Sequence, residues 1–182
     1  DFDAAKYLGT WYQTARVKEF LFQPEDSVCV VAEYTDKGNN EFSVINSYQE
    51  GSVQGDLTET SEWGKSLSRR KSDTGHATCV SPDKSAACEV EFFGKAFDGT
   101  INYNVIDTDY DSYTIVYDCS EASQNQIVWL LSRTPVMSDA TLVKVMAILA
   151  EKVPNFSPTH FDGITYQGDQ CAYPKTAEDL FQ

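Results

Sequence analysis

The sequence is short of the residues from which most active sites are built. It has two histidines, His76 and His160, far apart, and none of its five cysteines forms a Cys-x-x-Cys pair. That spacing does not suit a zinc centre. Basic residues are also few: Lys and Arg total 14 against 28 Asp and Glu, for a net charge of −14. Nucleic acids and anionic membranes both call for a basic face, so neither is an expected partner; the acidity itself serves solubility. No stretch approaches the roughly 18–20 apolar residues of a membrane-spanning helix. No leader segment is visible, and Asp1 reads as a processed or trimmed start. Neither a Gly-x-Ser-x-Gly elbow nor a histidine spaced for a triad occurs, so the expectation is a protein that is not an enzyme. His76 lies in "DTGHAT" beside turn residues and reads as structural. Repeats and low-complexity segments are missing as well.

What is present is enough for a packed core. Hydrophobic residues make up 41% and aromatics 13% of 182 residues, which fits one domain spanning 1–182. Short β-type runs dominate: 10–17, 28–35, 41–49, 66–71, 75–80, 87–93, 101–108, 113–118 and 126–132. Turn-rich pieces such as "TDKGNN", "SPDKS" and "FDGT" separate them. About eight strands at this spacing predict an antiparallel sandwich or barrel. One long helix stands out over 138–153, "SDATLVKVMAILAEK", with Ser138 as N-cap and Pro154 as its stop. Leu142, Val145, Met146, Leu149 and Val153 form its apolar stripe. Strand "QIVWLLSR" is apolar on both faces, so one side can receive the helix and the other looks inward.

Three short signatures then fall in order: "GTWY" at 9–12, "TDYDSY" at 108–113 and "LLSRTP" at 130–135. Together they resemble the three characteristic regions of the lipocalin family. "DFDAAKYLGTWYQ" and "VIDTDYDSYTIVYDC" are similar to the branch that holds apolipoprotein D, retinol-binding protein, insect bilin-binding proteins and crustacyanin subunits. The resemblance implies an all-β, eight-stranded, antiparallel up-and-down barrel with one C-terminal α-helix packed on its outside (barrel 8–134, helix 138–153, tail 154–182). It implies that Trp11 plugs the closed end beneath the guanidinium of Arg133, with Asp109 and Tyr110 in the adjacent turn. It also implies a bridge from Cys29 to Cys171, and leaves Cys119 without its usual partner.

Alternation anchored on Arg133 turns Ile127, Trp129 and Leu131 inward. With Cys119 taken as outward, Thr114, Val116 and Asp118 face in, and Tyr113, Ile115 and Tyr117 face out. Family position places Val30, Ala32, Tyr34, Phe42, Val44, Asn46, Tyr48, Val90, Phe92, Tyr103 and Val105 inside. The expected ligand-binding set is Phe20, Phe22, Ala32, Tyr34, Val44, Asn46, Tyr48, Val90, Phe92, Tyr103, Val105, Val116, Ile127 and Trp129. Phe20, Leu21 and Phe22 form an apolar triplet that reads either as a lid or as a contact with a neighbouring loop or subunit.

Cys79 and Cys88 flank the hairpin connection "VSPDKSAA". A cross-strand disulfide is the favoured reading; bonding of one thiol to Cys119, or covalent attachment of a ligand, are the alternatives. Scattered cysteines fit an oxidising, extracellular setting. The expected function is extracellular binding and transport or storage of a small hydrophobic molecule, with a bilin or carotenoid pigment as the first class. Sterols, retinoids and fatty acids suit the same lining, and a protein-interaction module is the alternative of another kind. No cofactor is required beyond such a bound chromophore or lipid, and an assembly of like or unlike subunits is compatible.

Overall fold

The computed structural model describes residues 2–18, 23–38, 41–51, 71–79, 86–120 and 125–174. A one-turn helix α1 (Ala4–Tyr7) leads into eight strands: β1 (Gly9–Arg16), β2 (Ser27–Gly38), β3 (Glu41–Glu50), β4 (Lys71–Thr78), β5 (Ala87–Phe92), β6 (Tyr103–Thr108), β7 (Tyr113–Ser120) and β8 (Asn125–Ser132). Helix α2 (Asp139–Lys152) and a short 3-10 turn (Pro158–His160) follow. Each strand pairs antiparallel with its neighbours in sequence, and β8 returns to β1, closing the barrel.

The period of two sorts the strand residues into two cores. Trp11, Tyr34, Phe42, Val44, Ala77, Val105, Val116 and Leu131 pack together inside the barrel. Ala15, Tyr113, Ile115, Val128 and Leu130 face outward and pack against Val145 and Leu149 of α2 and Val153 just after it. Ser138 caps that helix, its Oγ accepting the Thr141 N–H at 3.2 Å. At the other end Lys152 donates to the Ile106 carbonyl at 3.0 Å and pairs with Asp107 at 3.4 Å.

Three boundaries differ from the sequence reading, each for a local reason. The run expected at 75–80 is part of a strand that starts earlier, β4, with Gly75 at its middle; of the run expected at 66–71, residues 66–70 lie outside the described residues. The glycine marks a close approach rather than a turn: a Cβ there would sit 2.7 Å from the Phe92 ring and from the Glu91 carbonyl oxygen. β6 begins at Tyr103, not at 101. Just before it, the Asn102 side chain accepts the Val90 N–H (2.8 Å) and donates to the Val90 carbonyl (2.9 Å), a side-chain stand-in for ladder bonds. β2 runs on to Gly38, beyond the expected end at 35; Gly38 takes φ +78° and donates its N–H to Asp36 at 2.8 Å.

The tail after α2 is part of the wall. β1 pairs with β2 from Gly9–Tyr34 to Tyr12–Val31. Past Tyr12 the partner of β1 on that side is the tail. Thr165 N–H donates to the Thr14 carbonyl (2.8 Å), Asp162 N–H to Arg16 (3.0 Å), and Lys18 N–H to His160 (3.0 Å). On the tail's other side, Cys29 N–H of β2 donates to the Tyr166 carbonyl at 2.8 Å. The buried Gln167 amide donates to the carbonyls of both Gln13 (3.0 Å) and Val30 (2.7 Å), and Cys171 is bonded to Cys29.

Candidate ligand-binding site

The closed end is built around Trp11, which is fully buried. Gly9 lets the chain turn from α1 into β1 at φ +89°, where a Cβ would be strained. The indole Nε1 donates to the Tyr7 carbonyl at 2.8 Å. The Arg133 guanidinium carbon lies 3.7 Å from the indole centroid, an arrangement that contributes about 0.5–2 kcal/mol. The same guanidinium donates to the carbonyls of Tyr110, Thr10 and Lys6, each at 2.9 Å. It thus ties α1, β1 and the β6–β7 turn into one floor. In that turn Tyr110 takes the left-handed φ of +67°. Burial works against the Asp109 charge. The Ser112 hydroxyl and N–H, the Tyr113 N–H and the Lys144 ammonium outweigh it and hold the carboxyl below its ordinary range.

Above this floor three phenols meet. Tyr103 Oη lies 2.8 Å from Tyr7 Oη and accepts the Tyr34 hydroxyl at 2.8 Å. Burial pushes the Tyr7 phenol up to about 12, and raises Tyr34 and Tyr103 further, so all three stay neutral donors. A cavity of about 20 Å³ adjoins them, lined also by Phe42, Val90 and Val105. One water molecule needs about 10–15 Å³ by the same measure.

Higher on the inner wall the cross-strand partners are Trp11–Ala32, Ala32–Asn46, Tyr34–Val44, Gly75–Phe92, Ala77–Val90, Val105–Val116 and Val116–Trp129. Val44 and Val116 are fully enclosed. Ala32, Val90, Phe92, Tyr103 and Trp129 belong to the same inner cluster but are only partly buried. The Tyr103 and Trp129 rings lie near-parallel, with centroids 6.4 Å apart. Asn46 and Tyr48 stand opposite Asp73 and Lys71 on β4, so this part of the wall is polar. Ile127 does not share the inner cluster: it packs against the outer, helix-side group. Strand twist rotates an end away from the face set at the strand centre, which alternation ignores. Phe20 and Phe22 lie outside the described residues.

In the sequence Tyr7 carries no expected role, and the tail only the Cys29–Cys171 bridge that the resemblance implies. For Tyr7 a signal existed: Asp3 is an N-cap, its side chain accepting the Lys6 N–H at 3.3 Å, and one turn of helix from there carries Tyr7 to the floor. A second cluster also went unassigned. Glu89, Glu91 and Asp98 bring carboxylate oxygens within 4.8 Å of one another. Glu89 accepts the N–H groups of Asp98 (2.6 Å) and Gly99 (3.0 Å), and Glu91 pairs with Lys95 at 2.8 Å. These partners pin the β5–β6 loop and supply the cluster's cation. The two histidines serve as packing rings, His76 edge-on to Phe97 at 4.4 Å and His160 to Phe156 at 5.7 Å. Cys79 is bonded to Cys88, and Cys119 is exposed and outside any disulfide.

The comparisons with known proteins agree with this architecture. The Lipocalin-like domain family model matches residues 2–158. Lazarillo protein of Schistocerca americana is 31% identical over 149 residues, covering 80% of this chain and 62% of its own length, so the chain spans less than two thirds of that relative. Outer membrane lipoprotein Blc of Citrobacter freundii is 32% identical over 81% of this chain and 71% of its own. Bovine (Bos taurus) apolipoprotein D is 29% identical over 82% and 70%. Among solved structures, lobster apocrustacyanin A1 superposes with TM-score 0.65 at 20% identity, covering 94% of this chain and 83% of that one. Insecticyanin of the tobacco hornworm Manduca sexta gives 0.66 at 21%, covering 95% and 85%. With a family match across most of its length and a barrel plugged by an indole under a guanidinium, the chain belongs to the lipocalin family.

Proposed function

We propose that this protein binds a small hydrophobic molecule inside the barrel and transports or stores it outside the cell. The observation that carries this reading is the state of the inner wall. Ala32, Val90, Phe92, Tyr103 and Trp129 point inward yet keep contact with solvent. An interior filled by its own side chains would deny them that contact. The lining is aromatic and aliphatic with a few hydroxyl and amide groups, which suits a flat or elongated hydrophobe with sparse polar substituents. A bilin or carotenoid is the first class to test, on the resemblance of "VIDTDYDSYTIVYDC" and "LLSRTP" to a branch that includes several pigment carriers. Sterols, retinoids and fatty acids come next. Two disulfides, Cys29–Cys171 and Cys79–Cys88, favour an oxidising, extracellular setting. The test is an absorption spectrum of the purified protein followed by organic extraction. A visible band supports a pigment, and extractable lipid from colourless protein supports general lipid carriage. A protein that neither yields nor takes up a hydrophobe contradicts the reading.

One observation favours a second reading, a module that acts through protein contacts. Phe93 is 82% exposed although its φ of +58° lies in the left-handed region that disfavours bulky residues. An aromatic held at such a cost and left open to solvent is a contact waiting for a partner. Exposure of Phe93 in the free protein and its protection in a complex would support that reading.

A further inference from the structure

We propose that residues 161–171 form a removable strand in the barrel wall, that the ligand leaves sideways through the gap it covers, and that reduction of Cys29–Cys171 opens it. The inference rests on the carrier reading. Its structural basis is the parting of β1 and β2 after Tyr12, where the tail fills the space between them with hydrogen bonds to Thr14, Arg16 and Cys29.

The parting has a local cause. The β2–β3 register shifts between Val28 and Val31, and Cys29 lies within that bulge at φ +56°. A bulge bends its strand, and here, beyond the Tyr12–Val31 pair, the tail sits between β1 and β2 and bonds to both. Removing the tail would leave the carbonyls of Thr14 and Arg16 and the N–H of Cys29 without these partners. Strand edges in that state are open to solvent or to another chain. The gap adjoins the interior: Arg16 is the cross-strand partner of Trp129, whose ring belongs to the inner cluster. The Arg16 guanidinium is buried and donates to the carbonyls of Val17 and Pro24, each at 3.0 Å, with Asp162 of the tail 3.7 Å away. A group of that charge beside the tail draws water when the cover lifts.

The tail's hold is uneven. Its backbone bonds are few, and one side chain, Gln167, makes the bridge to both strands. The covalent lock is Cys29–Cys171; Cys29 is fully buried and Cys171 is only partly so. A dithiol reaches the Cys171 sulfur first. Its thiolate attacks Cys171 Sγ, the protein S–S bond breaks, and Cys29 leaves as a thiolate that takes up a proton. The dithiol's second sulfur then displaces Cys171. The dithiol ends as its own disulfide, two electrons poorer, and both cysteines end as thiols.

The experiment uses the full chain carrying Cys79→Ser and Cys88→Ser, so that Cys29–Cys171 is its one disulfide. It is loaded with cis-parinaric acid and mixed with phosphatidylcholine vesicles as acceptor, with and without dithiothreitol. Reduction, verified by thiol titration, should raise the dissociation rate at least tenfold. Amide exchange should speed up at Cys29 and Thr165 and stay slow at Ile115 and Val116. The chain carrying Cys29→Ser and Cys171→Ser, which keeps Cys79–Cys88, should dissociate fast without reductant; it also serves should the first variant fold poorly. An unchanged rate after complete reduction overturns the gate and leaves the carrier reading intact. Exchange rising equally across β5–β7 also overturns it, as general loosening. Failure of the unmodified chain to take up the probe overturns the carrier reading and the gate with it.

Discussion

Trp11 and Arg133 carry the floor because each satisfies the other's weakness. The indole is an apolar slab with one N–H, which reaches Tyr7; the guanidinium is a cation that finds a ring and the carbonyls of Tyr110, Thr10, Lys6 and Tyr7 in place of water. Trp11→Ala should therefore cost about 3–5 kcal/mol in a urea melt, since it opens a cavity beneath a now uncovered cation. A loss near zero would contradict the plug. The phenol cluster supplies a pH test. In the unfolded chain these groups lose their protons near pH 10, whereas in the fold Tyr7 keeps its proton to about 12. The stability they contribute is full below pH 10 and is lost as pH rises from 10 through 12. Denaturant melts should weaken over that interval, and absorbance at 295 nm should show the late-titrating phenols ionising with unfolding. Tyr34→Phe should make the decline shallower.

At the scale of elements, what could be read from the sequence was what local periodicity determines. The α2 stripe was legible because Leu142, Val145, Met146, Leu149 and Val153 repeat at helical spacing, and the structure packs all five on one outer core. Leu149→Ala should cost about 2–5 kcal/mol by the same melt. The Trp11–Arg133 contact was legible because its signatures are short and contiguous. Ile127 was not, since its contacts depend on twist accumulated along β8. Gly75 was read as the start of a run, but its mid-strand place was not legible: the close approach of the Phe92 ring there comes from the next strand. Of the tail, the Cys29–Cys171 bridge was implied by the resemblance, but its pairing with the wall was hidden, because those partners are backbone groups of β1 and β2 that any sequence would supply. The Cys79–Cys88 bridge closes a short loop, and replacing both residues with serine should cost about 2–3 kcal/mol in the chain-entropy account. A larger loss would mean that the bridge also holds the cavity wall it lines.

For the molecule as a whole, the closed sheet removes the open edges that would make an eight-stranded protein sticky. The acidic surface keeps it dispersed. What distinguishes it from a barrel that merely folds is an inner wall that is apolar, aromatic and not fully covered. The measurement that tests this most directly is an equilibrium titration of the delipidated protein with cis-parinaric acid, followed by quenching of tryptophan fluorescence. We predict saturable binding of one probe per chain, and at least a tenfold loss of affinity on Val90→Trp, which would fill the partly open interior beside Ala77. Quenching that never saturates, or an affinity indifferent to that substitution, would contradict a binding interior.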